Sequence, residues 1–195
     1  MAYTIAQPDN SIVVSDTDTR LGQLFQPATG SIKIKSETFG FLHQTTLTLD
    51  NVPQTVVNGT EYQSTQLYTF PEGRINVLGV TATLQQKTTS ALASTLNASS
   101  TGAIALGTAT ASSTTLATTM VDLLPSTAFT SSATINVAGT AVTAALAAMA
   151  QFDGTTTAKS MYLNTAYATT TDVDGDATQT ISGTITFTWA WLGDY

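Results

Sequence analysis

The chain has 195 residues, with six Lys or Arg, 13 Asp or Glu, a formal net charge of −7 and no Cys. Without clustered cations, a nucleic-acid partner or an anionic membrane surface is not expected, and without Cys there are no disulfides, thiolate nucleophiles or Cys-bound metals. Thr occurs 41 times, and its β-branched side chain favours a pleated sheet. We also expect no secretory signal and no membrane-spanning helix, because no long apolar run is found.

The first 40 residues are punctuated by Pro, Gly and Asp, so no long element is predicted before Ser31. Alternating side chains over Ser31–Lys35 then predict a strand with one solvated face. Residues 1–30 are interpreted either as a loosely packed terminus or as an arm that docks on a neighbouring subunit. We therefore divide the chain into an N-terminal arm with the first strand, residues 1–40, and one β domain, residues 41–195.

Residues 41–86 read as strands separated by turns. Thr46–Leu49 alternates, and so does Arg74–Leu84, where the phase slips at Leu78–Gly79 and predicts a β-bulge. Turn-forming residues predict three reversals, with a hairpin at the second: Asp50–Pro53, Asn58–Gly59 and Pro71–Gly73.

Residues 88–119 are almost entirely small and hydroxylated, which predicts a long polar loop or thin edge strands around a weak alternation at Ile104–Thr108. A short helix is expected at Ala91–Leu96, and Asp122–Pro125 should end in a turn before a strand at Thr134–Val137. Ala141–Gln151 is the main helical candidate, because Val142, Ala145, Leu146 and Met149 share one face at helical spacing.

The last 43 residues carry the clearest pattern. Asp153–Gly154 predicts a turn, and Ser160–Ala168 predicts a strand with Met161, Leu163 and Tyr167 on one side. The final strand has strict period two, with one face formed by Ile181, Gly183, Ile185, Phe187, Trp189 and Trp191. Many short antiparallel strands and at most one short helix predict an all-β sandwich, jelly roll or barrel.

Catalytic groups are scarce. His43 is the only His, it follows the apolar run Phe39–Leu42, and no nucleophile elbow or nucleotide-binding glycine motif accompanies it. We interpret His43 as structural or surface-exposed, and we predict neither an enzyme nor a bound cofactor. No catalytic, cofactor-binding or metal-binding residue is assigned.

One acidic cluster is weighed as a cation site. Asp172, Asp174 and Asp176 have the one-three-five spacing of a calcium loop, but Ala177 replaces its turn glycine and Gly183 its bidentate acid. An ordinary exposed acidic loop is the preferred interpretation, with a weak cation site as the alternative. Asp16 and Asp18 form a smaller pair of little diagnostic value.

The aromatic residues near the C-terminus allow two interpretations. Trp189 and Trp191 on one strand face, with Tyr195, are typical of a core or a subunit interface. The alternative is an exposed platform on which sugar rings stack.

The chain also resembles a known class of protein in two stretches near its C-terminus: residues 152–164, FDGTTTAKSMYLN, and residues 182–195, SGTITFTWAWLGDY. These phrases resemble the ends of jelly-roll virion proteins of tailed bacteriophages, with the capsid decoration or cement proteins of cyanophages nearest, over roughly residues 130–195. The resemblance implies a homotrimer on the outer surface of the capsid that clamps major capsid subunits together. Residues before 40 would then contact the shell.

Three other functions remain open from the residues alone. The chain could be a phage tail, fibre or receptor-binding protein. It could be a carbohydrate-binding module that uses an exposed Trp189–Trp191 surface. It could also be a tail-associated enzyme, which requires His43 or the acids of Asp172–Asp176 to act on a substrate.

Overall fold

A computed structural model describes residues 22–27, 29–90, 96, 100–146, 148–168 and 173–193. These residues form eleven strands and one three-residue 3-10 turn, Thr118–Met120. The strands are β1 (Gln23–Leu24), β2 (Ser31–Phe39), β3 (Leu42–Val56), β4 (Tyr62–Thr69), β5 (Arg74–Ser90), β6 (Thr101–Gly107), β7 (Leu124–Thr130), β8 (Val142–Ala145), β9 (Ala150–Asp153), β10 (Ser160–Tyr167) and β11 (Ala177–Trp191).

The strands form two antiparallel sheets, so the predicted all-β class is confirmed. Sheet A has the order β1-β4-β10-β6-β7, and sheet B has the order β2-β3-β11-β5-β8, with β9 also paired to β5. The large apolar side chains of both sheets meet in one core. The architecture is therefore a β-sandwich, because each sheet buries one face against the other.

Strand β11 lies at the centre of sheet B, as its alternating sequence predicts. It pairs with β3 and β5 along nearly its whole length. Ile181, Ile185, Phe187 and Trp189 are fully buried, while the Thr residues between them face outward. A central strand with one solvated face needs this period-two pattern, and the prediction is confirmed.

The predicted β-bulge in β5 is also present. In the register with β11, Thr188 lies opposite Gly79 and Trp189 lies opposite Val77, so Leu78 is the extra residue. Val77 and Val80 are both buried, whereas Leu78 is 47% exposed. The bulge thus re-aims the strand without losing either apolar side chain from the core.

Two of the three predicted reversals are turns, but neither is a hairpin within one sheet. Asn58–Gly59 and Pro71–Gly73 connect strands that lie in different sheets, β3 to β4 and β4 to β5. The hairpin prediction at Asn58–Gly59 is therefore wrong, because an Asn-Gly signal specifies a chain reversal and not the sheet to which the next strand belongs.

The predicted turn at Asp50–Pro53 is wrong, since β3 continues to Val56. A β-bulge at Asn51 replaces the turn, with Asn51 at a φ of 50°. Strand β2 begins at Ser31, opposite Asp50, so among the described residues no strand pairs with that edge of β3 beyond this point, and Pro53 is tolerated there. Pro125 similarly lies inside the edge strand β7, so Asp122–Pro125 leads directly into a strand.

The helix predicted at Ala141–Gln151 is wrong. Its ends form the short strands β8 and β9, which both pair with β5. The backbone N–H and C=O groups on the outer edge of β5 need hydrogen-bond partners, and β8 and β9 supply them. This pairing outweighs the small intrinsic preference of Ala for a helix. The strand predicted at Thr134–Val137 is also wrong, as these residues form bends and turns beside β5.

Other sequence predictions have mixed outcomes. The weak alternation at Ile104–Thr108 corresponds to β6, which is an interior strand of sheet A and not an edge strand. At the predicted turn Asp153–Gly154, Asp153 is the last residue of β9 and the chain bends over residues 155–157, just beyond the predicted position. The strand predicted from Ser160 is confirmed as β10. The helix predicted at Ala91–Leu96 lies outside the described residues except for Leu96, and so does most of the predicted arm. Within the 1–40 segment, β2 pairs with β3 along all nine residues.

The outer faces of the two sheets differ. A loop over residues 108–123 covers sheet A and packs Leu116 and Met120 on Ala105 and Ala166. The buried side chain of Asn164 holds this loop by donating to the carbonyls of Ala109 and Met120 and accepting from the Ala111 amide. The outer face of sheet B has no such cover among the described residues and consists mainly of Thr.

Candidate functional site

His43 is buried in the core, with 3% of its surface exposed. Its ring stacks on Trp189 with centroids 4.3 Å apart, and its Nδ1 lies 3.1 Å from the Thr38 hydroxyl. Strands β3 and β11 place His43 and Trp189 directly opposite each other, which accounts for the stack. This position supports the structural interpretation of His43.

The C-terminal tryptophans do not form a platform. Trp189 is fully buried, packs edge-on against Phe70 and donates from Nε1 to the Thr45 hydroxyl at 3.2 Å. Trp191 is half-buried, and its Nε1 donates to the Glu72 carbonyl. The core interpretation is confirmed for Trp189. The alternative, an exposed Trp189–Trp191 surface on which sugar rings stack, is wrong. Tyr195 lies outside the described residues.

The acidic loop is only partly described, because Asp172 lies outside the described residues. Asp174 is exposed, and the Asp176 carboxylate accepts a hydrogen bond from the Asn58 amide at 3.0 Å. Asp176 therefore anchors the turn between β3 and β4. Among the residues with described positions, no three metal-binding side chains cluster together. Asp16 and Asp18 also lie outside this part of the chain.

A layer of buried polar side chains crosses the interior between the two sheets, and it is not among the features predicted from the sequence. We call it the glutamine layer; its members are Gln54 on β3, Gln86 and Thr88 on β5, Gln179 on β11, and Thr165 and Tyr167 on β10. All six are at most 3% exposed. Buried polar groups need partners, and within the layer only Gln86 Oε1 lacks a hydrogen-bond partner among the described residues.

Gln179 is the centre of the glutamine layer. Its Oε1 accepts from the Tyr167 hydroxyl at 2.6 Å and from Gln86 Nε2 at 3.2 Å. Its Nε2 donates to Gln54 Oε1 at 3.1 Å and to the Thr165 hydroxyl at 3.2 Å. The carboxamide thus uses both donors and both acceptor positions and joins strands of both sheets. A signal for this layer exists in the sequence, because each Gln is in phase with the buried apolar residues of its strand.

The outer face of sheet B carries rows of Thr set by the strand register. Thr48, Thr184, Thr83 and Thr143 lie side by side on four adjacent strands, and Thr46, Thr186 and Thr81 form the next row. Neighbouring hydroxyls bond to each other, with Thr46 to Thr186 at 3.1 Å and Thr83 to Thr143 at 3.2 Å. These cross-strand pairs satisfy part of the hydroxyl surface internally, and on β2 the two rows end at the exposed Lys33 and Lys35.

Exposed aromatic residues concentrate at one end of sheet B. The turn between β2 and β3 carries Phe39 and Phe41, which are 58% and 68% exposed; we call Phe39–Gly40–Phe41 the hairpin tip. Gly40 has a φ of 69°, which this tight reversal requires. The Phe41 carbonyl accepts from the Trp191 amide, which brings Leu192, 37% exposed, to the same end of the sandwich.

A shallow groove of about 390 Å³ lies between the start of β7 and the chain before β9, lined by Asp122, Pro125, Met149 and Gln151 among others. Partial burial raises the pKa of Asp122 above its ordinary value, against the opposing effect of two hydrogen bonds from Thr108. Asp153 behaves in the opposite way, because hydrogen bonds from Thr155 lower its pKa.

These opposite shifts predict opposite pH dependences. A raised folded-state pKa gives Asp122 a stabilising contribution that is present at low pH and is lost as pH rises above about 4. Asp122→Asn should therefore gain stability relative to wild type as pH rises above about 4. Asp153→Asn should lose stability relative to wild type as pH rises towards about 4, because the lowered folded-state pKa of Asp153 places its window below the unfolded value. Urea unfolding of the three proteins between about pH 3 and pH 7 measures both slopes. Equal slopes for the two variants would contradict the assignment.

No helix among the described residues is long and apolar enough to span a membrane. No protein-family model, curated protein or solved structure matches the chain. The structure defines the class of protein as an all-β sandwich of two antiparallel sheets, with a polar layer inside and an apolar hairpin tip at one end.

Proposed function

We propose that this chain is a virion structural protein, a capsid decoration or cement protein of tailed-phage type that stabilises the shell by bridging major capsid subunits. The proposal includes the finer fold, a jelly roll. It rests first on the pairing of the strands, then on the exposed hairpin tip, and it agrees with the resemblance of residues 152–164 and 182–195 to such proteins. The fold-level part of this reasoning is an analogy, since one fold serves many functions.

The observation that carries the proposal is a nested pattern of strand pairs. From β3 onward, the first strand pairs with the last, β3 with β11, and the second with the next to last, β4 with β10. Inside these, β5 pairs with β8 and β9, and β6 pairs with β7. A long two-stranded ribbon rolled into a sandwich produces this nesting, which is how a jelly roll is built, and virus capsid proteins commonly use that fold.

The hairpin tip supplies a contact surface of suitable chemistry. Single exposed apolar residues are normal, but two Phe within three residues, each more than half exposed, form an apolar projection with Leu192 beside it. Aromatic residues are enriched in the centres of protein interfaces, where they bury much area at little cost in side-chain entropy. We assign the hairpin tip to the contact with the major capsid protein.

A protein of this kind acts by mass action. Each bound copy stabilises the assembled shell because it binds subunits held at the spacing of the shell and not free subunits. A homotrimer would fit the local threefold positions of a capsid by symmetry. Sedimentation of the purified chain tests that part, and a stable monomer would contradict the trimer.

The test of the function is localisation. An antibody raised against the chain, applied to tailed-phage particles purified from a lysate in which the chain is produced, should label the capsid surface in electron micrographs. Label on the tail or fibres would overturn the decoration proposal in favour of a tail or receptor-binding role. Particles without any copy of the chain would overturn both.

The double variant Phe39→Ser/Phe41→Ser tests the assigned contact surface. Because both side chains are more exposed than buried, we expect the unfolding free energy to change by less than about 1 kcal/mol. Co-sedimentation with capsids stripped of the chain should nevertheless fall at least about tenfold, since interface anchors carry most of the binding energy. Lys33→Ser/Lys35→Ser, on the same hairpin, is the matched control. Unchanged co-sedimentation of the double Phe variant would remove the hairpin tip from the interface.

A further inference from the structure

A lysine, an asparagine and an aspartate meet on the outer face of sheet B. Lys87 on β5 donates from Nζ to Asn51 Oδ1 on β3 at 2.7 Å, across the intervening strand β11. Asn51 in turn donates from Nδ2 to Asp50 Oδ1 at 2.6 Å. An amine therefore lies next to a carboxamide whose nitrogen contacts a carboxylate.

The β-bulge in β3 creates this arrangement. Asn51 is the extra residue opposite β11 and has a φ of 50°, a conformation that Asn adopts more readily than most residues. Its backbone amide donates to the Ser182 hydroxyl at 2.9 Å, which fixes the bulge to β11. The side chain is thereby aimed along the outer face towards Lys87, and both residues are half-buried.

We propose that Lys87 and Asn51 form an intramolecular isopeptide bond. In this step, the neutral Nζ of Lys87 attacks Cγ of Asn51, a new Nζ–Cγ bond forms, the Cγ–Nδ2 bond breaks, and Nδ2 leaves as ammonia. If Lys87 starts as its protonated ammonium form, the products are the isopeptide and one free ammonium ion, so charge and atoms balance. No oxidant, reductant or further reactant is needed. One proton passes from Nζ to Nδ2 as the Cγ–Nδ2 bond breaks, and the Asp50 carboxylate, which accepts a hydrogen bond from Nδ2, is the group placed to relay it.

Proximity is the physical reason that an otherwise slow reaction becomes feasible. Amide aminolysis between separate molecules is negligible in water, but holding the two groups in contact converts it to an intramolecular reaction with a very large effective concentration. Oδ1 is bonded to Cγ, so a Nζ held 2.7 Å from Oδ1 is close to the attacked carbon. Because an amine attacks only in its neutral form, the rate should rise in alkaline buffer.

The bond would supply a covalent cross-link in a chain that has no Cys. It would join β3 to β5 across β11 and close a loop of 36 residues. Cross-links of this kind restrict the unfolded chain and raise stability, by the same argument that applies to disulfides. The inference stands on the three side chains alone and does not depend on the proposed function.

Intact-mass spectrometry of the purified chain tests the inference. After incubation in mildly alkaline buffer, wild type should show a species lighter than the sequence mass by one ammonia, and proteolysis should yield one linked peptide containing Asn51 and Lys87. Lys87→Arg keeps the positive charge and a hydrogen-bond donor beside Asn51 but should yield no linked peptide. Asp50→Asn should form it more slowly. Lys35→Arg, which replaces an exposed lysine away from Asn51, is the control and should behave as wild type.

One competing reaction has the same mass change. The exposed Asn58–Gly59 dipeptide can lose ammonia by forming a succinimide, so Asn58→Ser is made alongside. Hydroxylamine opens a succinimide but leaves an isopeptide amide intact, so a lighter species that survives it and persists in Asn58→Ser supports the bond. A wild-type mass equal to the sequence mass after incubation, or a hydroxylamine-resistant loss of ammonia that persists in Lys87→Arg, would overturn the inference.

Discussion

Replacing Gln179 with Leu should lower the free energy of unfolding by roughly 3 to 5 kcal/mol, despite the similar size and greater hydrophobicity of Leu. The Gln179 carboxamide makes four hydrogen bonds in the glutamine layer, to Tyr167, Gln86, Gln54 and Thr165. A leucine removes all four and leaves donors and acceptors facing hydrocarbon in a region of low dielectric constant. Each such loss typically costs 1–3 kcal/mol.

Urea unfolding followed by circular dichroism measures this effect. Thr184→Val is the matched control, because it also removes a polar group from β11 but on the exposed face, and it should change stability by no more than about 0.5 kcal/mol. A Gln179→Leu protein within about 1 kcal/mol of wild type would show that water or rearranged partners compensate for the lost amide.

Trp189→Ala is expected to destabilise the chain by roughly 3 to 5 kcal/mol. Trp189 is the largest fully buried side chain of the core and contacts His43, Phe70 and the Thr45 hydroxyl. Truncation leaves a cavity where β3 and β11 meet, and close-packed neighbours relax only in part to fill it. The loss should be largest at that end of the sandwich, where hydrogen exchange of the β3 and β11 amides reports local opening.

Phe41→Ala is the control for Trp189→Ala. It also truncates an aromatic ring at this end of sheet B, but Phe41 is 68% exposed, so its effect should stay within about 0.5 kcal/mol. Equal destabilisation by the two variants would mean that Phe41 is buried in solution, most simply against a second copy.

The parts of the fold that follow from the sequence are those where local pattern and tertiary structure agree. Strand β11 and the bulge at Leu78 are confirmed because a sheet with one buried face imposes period two directly on the sequence. The helix predicted at Ala141–Gln151 is wrong because the small residues of this segment fit a helical pattern and an edge strand equally well. The unpaired groups of β5 decide between them, and no local pattern contains that information.

The candidate site was less accessible to prediction than the fold. The role of Trp189 followed from its phase with Phe187 and Ile185. The glutamine layer is not predicted in this way, because apolar alternation identifies only the apolar residues that point inward and gives no sign of the polar ones. The contact between Lys87 and Asn51 depends on a bulge and on strand order, and neither is visible from residues 36 positions apart. The exposure of the hairpin tip is not predicted either, since an apolar run in the sequence does not show which side chains the fold leaves in solvent.

The outer faces of sheet A and sheet B differ, so the two broad sides of the sandwich are not equivalent. Asn164 and its loop cover one broad side, whereas the other broad side presents a bare sheet whose Thr hydroxyls are already partly paired with each other. A neighbour that approaches sheet B meets a regular row of strands, and one that approaches sheet A meets an irregular loop. The two broad sides are therefore not interchangeable, and units stacked face to face in an array would have a fixed polarity.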